Sequence, residues 1–206
     1  MAIRAVYRPD KGAKTGSVRA LHGRASRDEK MKVHAALYEN EWMQQKITTE
    51  SGRRTVMTFE EEYMSFWTEF GKSKKMVLST SYHDVVTSRT MSVVSLGGML
   101  YFPTDKTFRK YEQLTNNHNV ALCIDNFQIE GQCTEIGNPI DHEDFCIAYK
   151  AAFADSFHRY TMLKNERLFA VTPTFIERWI YLNGAPYMQI FDVKNKRYLL
   201  KQYSGE

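Results

Sequence analysis

The spacing of apolar residues changes from a helical to a strand period part-way along this chain. Phe59, Tyr63, Phe66, Trp67 and Phe70 recur at helical spacing, behind a capping box of Thr58 and Glu61. Gly71 stands where a C-terminal helix cap belongs. An aromatic stripe of this kind needs a core to cover, so it is read as packing. From residue 76 the period falls to two. It predicts strands over 76–82, 86–95, 99–103, 119–125, 127–136, 167–172, 175–182, 187–193 and 197–203. Gly97-Gly98, Asp125-Asn126 and Asn183-Gly184 have the composition of hairpin turns. Short strands joined this tightly pair antiparallel, and closing them into a barrel removes exposed edges. Two helices interrupt the strands, one over about 106–116 and one running from an Asp141 cap to about Phe157. The expectation is a mainly β fold with flanking helices, of the α+β class.

The first quarter of the chain reads differently. Residues 1–25 mix glycine, proline and charge and predict a loop. Ser26 and Glu29 form another capping box, for a polar helix reaching about Lys46, and residues 48–56 look like a linker. The expected organisation is a partly helical extension over 1–56 and a folded domain over 57–206. Residues 1–56 carry 12 Lys/Arg against 6 Asp/Glu, while the remainder carries 16 against 18. The net +4 of the 206 residues therefore belongs to the extension. It is read as a solvated arm in preference to a nucleic-acid surface. Cys123, Cys133 and Cys146 are odd in number and lack C-x-x-C spacing, which argues against a disulfide framework and a zinc ribbon. No apolar run reaches the length of a membrane span, and no secretory signal is seen at the N-terminus. A cytoplasmic protein without membrane attachment is the default.

The chemically informative stretch is 86–114, VTSRTMSVVSLGGMLYFPTDKTFRKYEQL. Arg89 lies among the hydroxyl residues Thr87, Ser88, Thr90 and Ser92. The strand after the next turn ends on Pro103-Thr104, and Lys106, Arg109 and Lys110 follow in the first turns of a helix. If the two strands pair across Gly97-Gly98, Arg89 comes near Thr104 and the helix start. Guanidinium groups, an ammonium, hydroxyls and helix N–H groups would then converge as a phosphate monoester requires.

The ordered pattern R-T-M-S-V-V, L-Y-F-P-T, R-K-Y-E-Q-L, N-V-A-L-C and I-E-G-Q-C-T-E-I-G resembles the pyridoxamine 5′-phosphate oxidase-like family, over about residues 57–182. The resemblance implies a six-stranded antiparallel split β-barrel of the FMN-binding type. It also implies an FMN cofactor held at the interface of a homodimer. Arg89 matches the strand arginine that reaches the FMN phosphate. Thr90, Met91, Ser92, Val93 and Val94 match the strand that runs along the flavin. Pro103 and Thr104 match the end of the next strand, and Arg109 and Lys110 the basic pair that clamps the phosphate. Asn126 falls near a position where the family often has a glutamine from the second subunit, so Asn is a departure there.

The Arg/Trp-rich ending that grips pyridoxamine phosphate and closes on R-L-x-P is missing from FDVKNKRYLLKQYSGE. The resemblance therefore implies an FMN-dependent oxidoreductase acting on an unidentified small-molecule substrate or electron donor. A non-catalytic flavin or haem binder, serving as sensor or carrier, is the alternative. His83-Asp84 beside Ser79 and Ser81 is not read as a triad, because neighbours in one strand or turn do not face one another. His118, His142 and His158 lack metal-ligand spacing, so no metal site is expected.

Overall fold

The computed structural model describes residues 58–205. The expected helix over 26–46 and the linker over 48–56 lie outside the described residues. Helix α1 (Phe59–Phe70) carries the capping box as expected, with the Thr58 N–H donating to Glu61 at 2.7 Å. Gly71 caps its far end at φ 79°, a conformation that favours glycine. The aromatic stripe lies over the barrel core, with Phe66 and Phe70 buried and Phe66 against Phe127 and Phe191.

Eight strands follow: β1 (Ser73–Tyr82), β2 (Val85–Leu96), β3 (Met99–Asp105), β4 (Asn119–Ile124), β5 (Phe127–Gly137), β6 (Glu166–Leu182), β7 (Ala185–Asp192) and β8 (Arg197–Gln202). Every pairing is antiparallel. The strands run β3-β2-β1-β4-β5-β6, and a β3–β6 pairing closes these six into a barrel. Strands β7 and β8 extend the sheet beyond β6. The protein is thus the six-stranded antiparallel split β-barrel that its sequence resembles. Met76, Leu78, Met91, Val93, Leu100, Phe102, Leu122, Ile129, Phe169 and Val171 fill the interior, one face of each alternating strand.

Three features depart from the strand and helix predictions. The stretches 167–172 and 175–182 form one strand, β6, that runs through Pro173. The register shifts there, because Glu130 pairs with Phe175 and Gly131 with Pro173, leaving Thr174 as the extra residue of a bulge. A bulge tolerates proline because the ladder asks no N–H of it. The predicted 141–157 helix is three pieces: a 3₁₀ turn (Pro139–Asp141), α3 (Glu143–Ala152) and α4 (Ala154–Tyr160). Asp141 is not the cap; His142 holds that position without a side-chain bond. Phe153 breaks the helix at ψ 53° and packs in a second core with Val94, Phe145, Tyr149 and Leu168. The third departure is α2 (Arg109–Asn116), which begins three residues later than predicted and leaves Lys106 in an exposed turn.

His83 and Asp84 both have positive φ, 49° and 60°, and form the exposed β1–β2 turn. They serve as hairpin residues. All three cysteines are free, and burial pushes the Cys133 thiol up to about 12. Among the described residues, no helix is long and apolar enough to cross a membrane.

Candidate functional site

The split in the barrel follows from the hydrogen-bond phase of β2 and β3. The Ser95 N–H donates to the Lys72 carbonyl on the β1 side. In an antiparallel ladder the backbone groups of alternate residues point to opposite neighbours. Odd residues of β2 therefore face β1, while Thr90, Ser92 and Val94 face β3. The β2–β3 ladder, however, ends at Val94↔Tyr101. Extending it by two residues would set Pro103 against Ser92, and proline has no N–H to give. Beyond this point β3 pairs only with β6, as far as Asp105↔Glu166. A wedge opens between the strands, lined on one side by the backbone of Thr90 and Ser92.

Helix α2 closes the barrel end beside this wedge. It buries Gln113 and Leu114, and its Lys110 reaches back to β2, with Nζ at 3.5 Å from the Met91 sulfur. Its N-cap, Phe108, has no side chain that can cap the first-turn N–H groups.

Arg89 is half-buried on the interior face, opposite Leu78 on β1. One terminal nitrogen, Nη1, donates to the Leu78 carbonyl at 3.3 Å and to Thr80 Oγ1 at 2.7 Å. The other, Nη2, donates to Gln113 Oε1 at 2.9 Å and to the Thr87 hydroxyl. All four acceptors are neutral oxygens. The cation is held in place and its charge is left uncompensated. Burial and the charge of Arg109 lower its proton affinity. Burial and Arg89 do the same to Lys110, with Glu166 pulling the other way. Among the described residues, none of Arg89, Arg109 and Lys110 forms an ion pair, unlike Arg167 with Glu135, Arg178 with Glu69 and Lys196 with Glu60.

Thr104 lies one residue before the end of β3, on the same strand face as Phe102, and its buried hydroxyl has no hydrogen-bond partner. A buried polar atom left unpaired costs about 1–3 kcal/mol. Cations without an ion pair and an unpaired buried hydroxyl are groups that could hold an anion. They fit a phosphate monoester, which would bring the missing charge and acceptors together.

The other predicted residues fall into place unevenly. Met91 lies beside Lys110, whereas Val93 is in the barrel interior and Val94 in the second core under α3. Neither valine side chain is free to meet a ligand. Ser92 is half-buried on the side of Tyr149, while Thr90 is exposed. Pro103 is buried at the wedge, and Arg109 is exposed at the start of α2. The structure does not bring Asn126 to this cluster. It lies in the β4–β5 turn, two strands from Arg89, and its amide donates to the Trp179 carbonyl.

Two participants escaped the sequence reading. Gln113 is buried and follows Arg109 and Lys110 at i+4 and i+3, so helical spacing could have found it. Glu166 could not be found locally, because only the β3–β6 ladder sets it opposite Asp105. Burial and the Asp105 charge push its carboxyl up from the ordinary 4.5 to about 7. A native carboxyl that holds its proton more tightly than the unfolded chain makes stability fall as pH rises between those values. Wild-type protein should lose up to ~3 kcal/mol from this group between pH 4.5 and 7. Glu166→Gln should flatten that slope in urea unfolding at a series of pH values. An unchanged slope would show that Glu166 titrates normally.

The fold and site together define a closed split barrel with a cationic wedge at one end. No protein-family model matches the chain, and no curated protein does. Solved structures do resemble it. One is a pyridoxamine 5′-phosphate oxidase-related, FMN-binding protein from Nostoc punctiforme (14% identity, 63% of this chain and 87% of that one, TM-score 0.46). Another is PhzG from Burkholderia lata, in complex with tetrahydrophenazine-1-carboxylic acid (14%, 74% and 99%, TM-score 0.48). A third is HutZ, the heme storage protein of Vibrio cholerae (16%, 57% and 91%, TM-score 0.44). At such identities the likeness concerns the fold, which the β3–β6 closure establishes independently.

Proposed function

We propose that this protein binds FMN at the wedge between β2 and β3 and is an FMN-dependent oxidoreductase that works as a homodimer. The observation that supports it most is that Arg89, Arg109 and Lys110 lie close enough to feel one another's charge and form no ion pair, while the buried Thr104 hydroxyl of β3 is unpaired. Arg89 and Lys110 would neutralise the phosphate, Arg109 would approach it from the exposed helix start, and Thr104 would donate to it. The backbone edge of Thr90 and Ser92 would offer hydrogen bonds to the ring, backed by Met91, Val93 and Val94. Pro103 would keep that edge open. When bound, the flavin supplies the redox chemistry.

The homodimer has support from the outer face of β1, β2 and β4. Val77 and Val86 are exposed there, among the small uncharged Ser79, Ser88, Ala121 and Cys123. Asn126 stays in the proposal only as a residue offered across that dimer. A cytoplasmic location, motivated by three free cysteines, completes the reading.

The deciding experiment is a visible spectrum of the purified protein with mass identification of the released cofactor. A yellow protein that releases FMN is expected. Colourless protein that takes up no added FMN would end the proposal. Anaerobic reduction by NADH or NADPH then separates an oxidoreductase from a carrier, and no reduction by any donor favours the carrier.

A further inference from the structure

The buried amide of Gln113 is more than a helix residue that fills the barrel end. It is 2% exposed, and its Oε1 accepts from three donors: Thr80 Oγ1 at 2.7 Å, Thr87 Oγ1 at 2.8 Å and Arg89 Nη2 at 2.9 Å. The amide orientation follows from chemistry, since a guanidinium can only donate and must face the oxygen. Thr80 itself is 2% exposed and also accepts from Arg89. The three side chains come from β1, β2 and α2. They form a cradle of neutral oxygens that fixes the guanidinium without cancelling its charge. A carboxylate in the same place would hold Arg89 equally well and would neutralise it.

We infer that Gln113 is a positioning residue of the anion site: its neutral amide orients Arg89 while keeping the charge available to a phosphate at the wedge. This deepens the FMN reading but rests only on its phosphate half. The neutral acceptor thus makes the site selective for anionic, phosphate-bearing ligands over uncharged analogues. A glutamate of the same shape should abolish that selectivity and leave the fold alone.

The test compares the wild-type protein with Gln113→Glu and Gln113→Met, using inorganic phosphate, FMN and riboflavin as separate probes. Calorimetry gives the affinities and thermal unfolding monitors the fold. Gln113→Glu is expected to weaken inorganic phosphate and FMN by at least tenfold while changing riboflavin by less than threefold. Gln113→Met, which frees Arg89 without adding charge, should weaken the two phosphate probes less than Gln113→Glu. A merely structural role would weaken all flavins equally, or would lower the melting temperature without changing the ratio of FMN to riboflavin affinity. Either result would overturn the inference, as would full phosphate affinity in Gln113→Glu. Wild-type protein that binds inorganic phosphate but neither flavin would sink the FMN proposal alone. Wild-type protein that binds no probe would sink both.

Discussion

Arg89→Ala is expected to weaken FMN binding by more than tenfold while leaving the barrel folded. The four terminal N–H groups of Arg89 are engaged within the protein, so its charge and its remaining Nε–H act on the phosphate, and a hydrogen-bonded charge contributes about 1.5–3 kcal/mol, roughly a ten- to hundredfold change. Partial exposure of Arg89 places the expected loss toward the lower end of that range. The loss should be confined to phosphate-bearing ligands, so riboflavin affinity serves as the internal control. Binding by wild-type protein should also fall as salt rises, and the variant should show a shallower dependence. Stability should change little, because Thr80 and Thr87 already hydrogen-bond Gln113 and keep doing so without the guanidinium. Lys110→Ala should give a loss of similar size, since Lys110 is the other half-buried cation of the cluster. Arg89→Lys should restore only part of the affinity, because an ammonium cannot span Thr80, Thr87 and Gln113 together. Unchanged FMN affinity in Arg89→Ala would remove that residue from the site.

Gly131→Ala is expected to cost about 3 kcal/mol of stability, because a Cβ meets closer neighbours there than at any other described glycine. Gly131 faces the bulge where β6 carries Pro173. A Cβ there would lie 2.5 Å from Val171 Cγ1 and 2.7 Å from the Thr172 carbonyl oxygen. Val171 is fully buried and the second contact is backbone, so neither can move aside easily. For a domain of this size the melting temperature should drop by roughly 6–12 °C. Gln132→Ala, at the exposed neighbouring position, should stay within about 0.5 kcal/mol of wild type. A Gly131→Ala protein as stable as wild type would mean that β5 and β6 are not held this tightly at the bulge.

Much of the architecture was legible along the chain. The α1 stripe and its capping box are local signals, and so are the turn pairs Gly97-Gly98, Asp125-Asn126 and Asn183-Gly184. Each depends on residues within a few positions of one another. The alternation of Met91 and Val93 against Thr90 and Ser92 shows in the same way which side of β2 is buried. What failed were the places where tertiary partners override a local rule. Pro173 looks like a strand end, yet the bulge opposite Gly131 lets β6 continue through it. Phe153 looks like helix, yet its burial with Tyr149 turns the chain. The late start of α2 leaves Lys106 in an exposed turn ahead of the helix that spacing had given it.

The cationic site opened with Arg89, and the structure alters what that residue means. The sequence by itself determined the members: an arginine in a hydroxyl-rich strand, a Pro-Thr strand end, and Arg109-Lys110 after it. It determined the helical or strand period of most elements and hence a mainly antiparallel β fold. Only the tertiary structure decided that β2 and β3 part at Pro103, because ladder phase and strand closure depend on where β6 pairs. It alone decided that Arg89 rests on neutral oxygens, with Gln113 contributed from 24 residues away. It alone set Glu166 opposite Asp105 beside the site. Residue type fixes which charges and donors a chain carries. Whether a charge is left uncompensated depends on what the fold packs against it, and those neighbours lie far off in sequence.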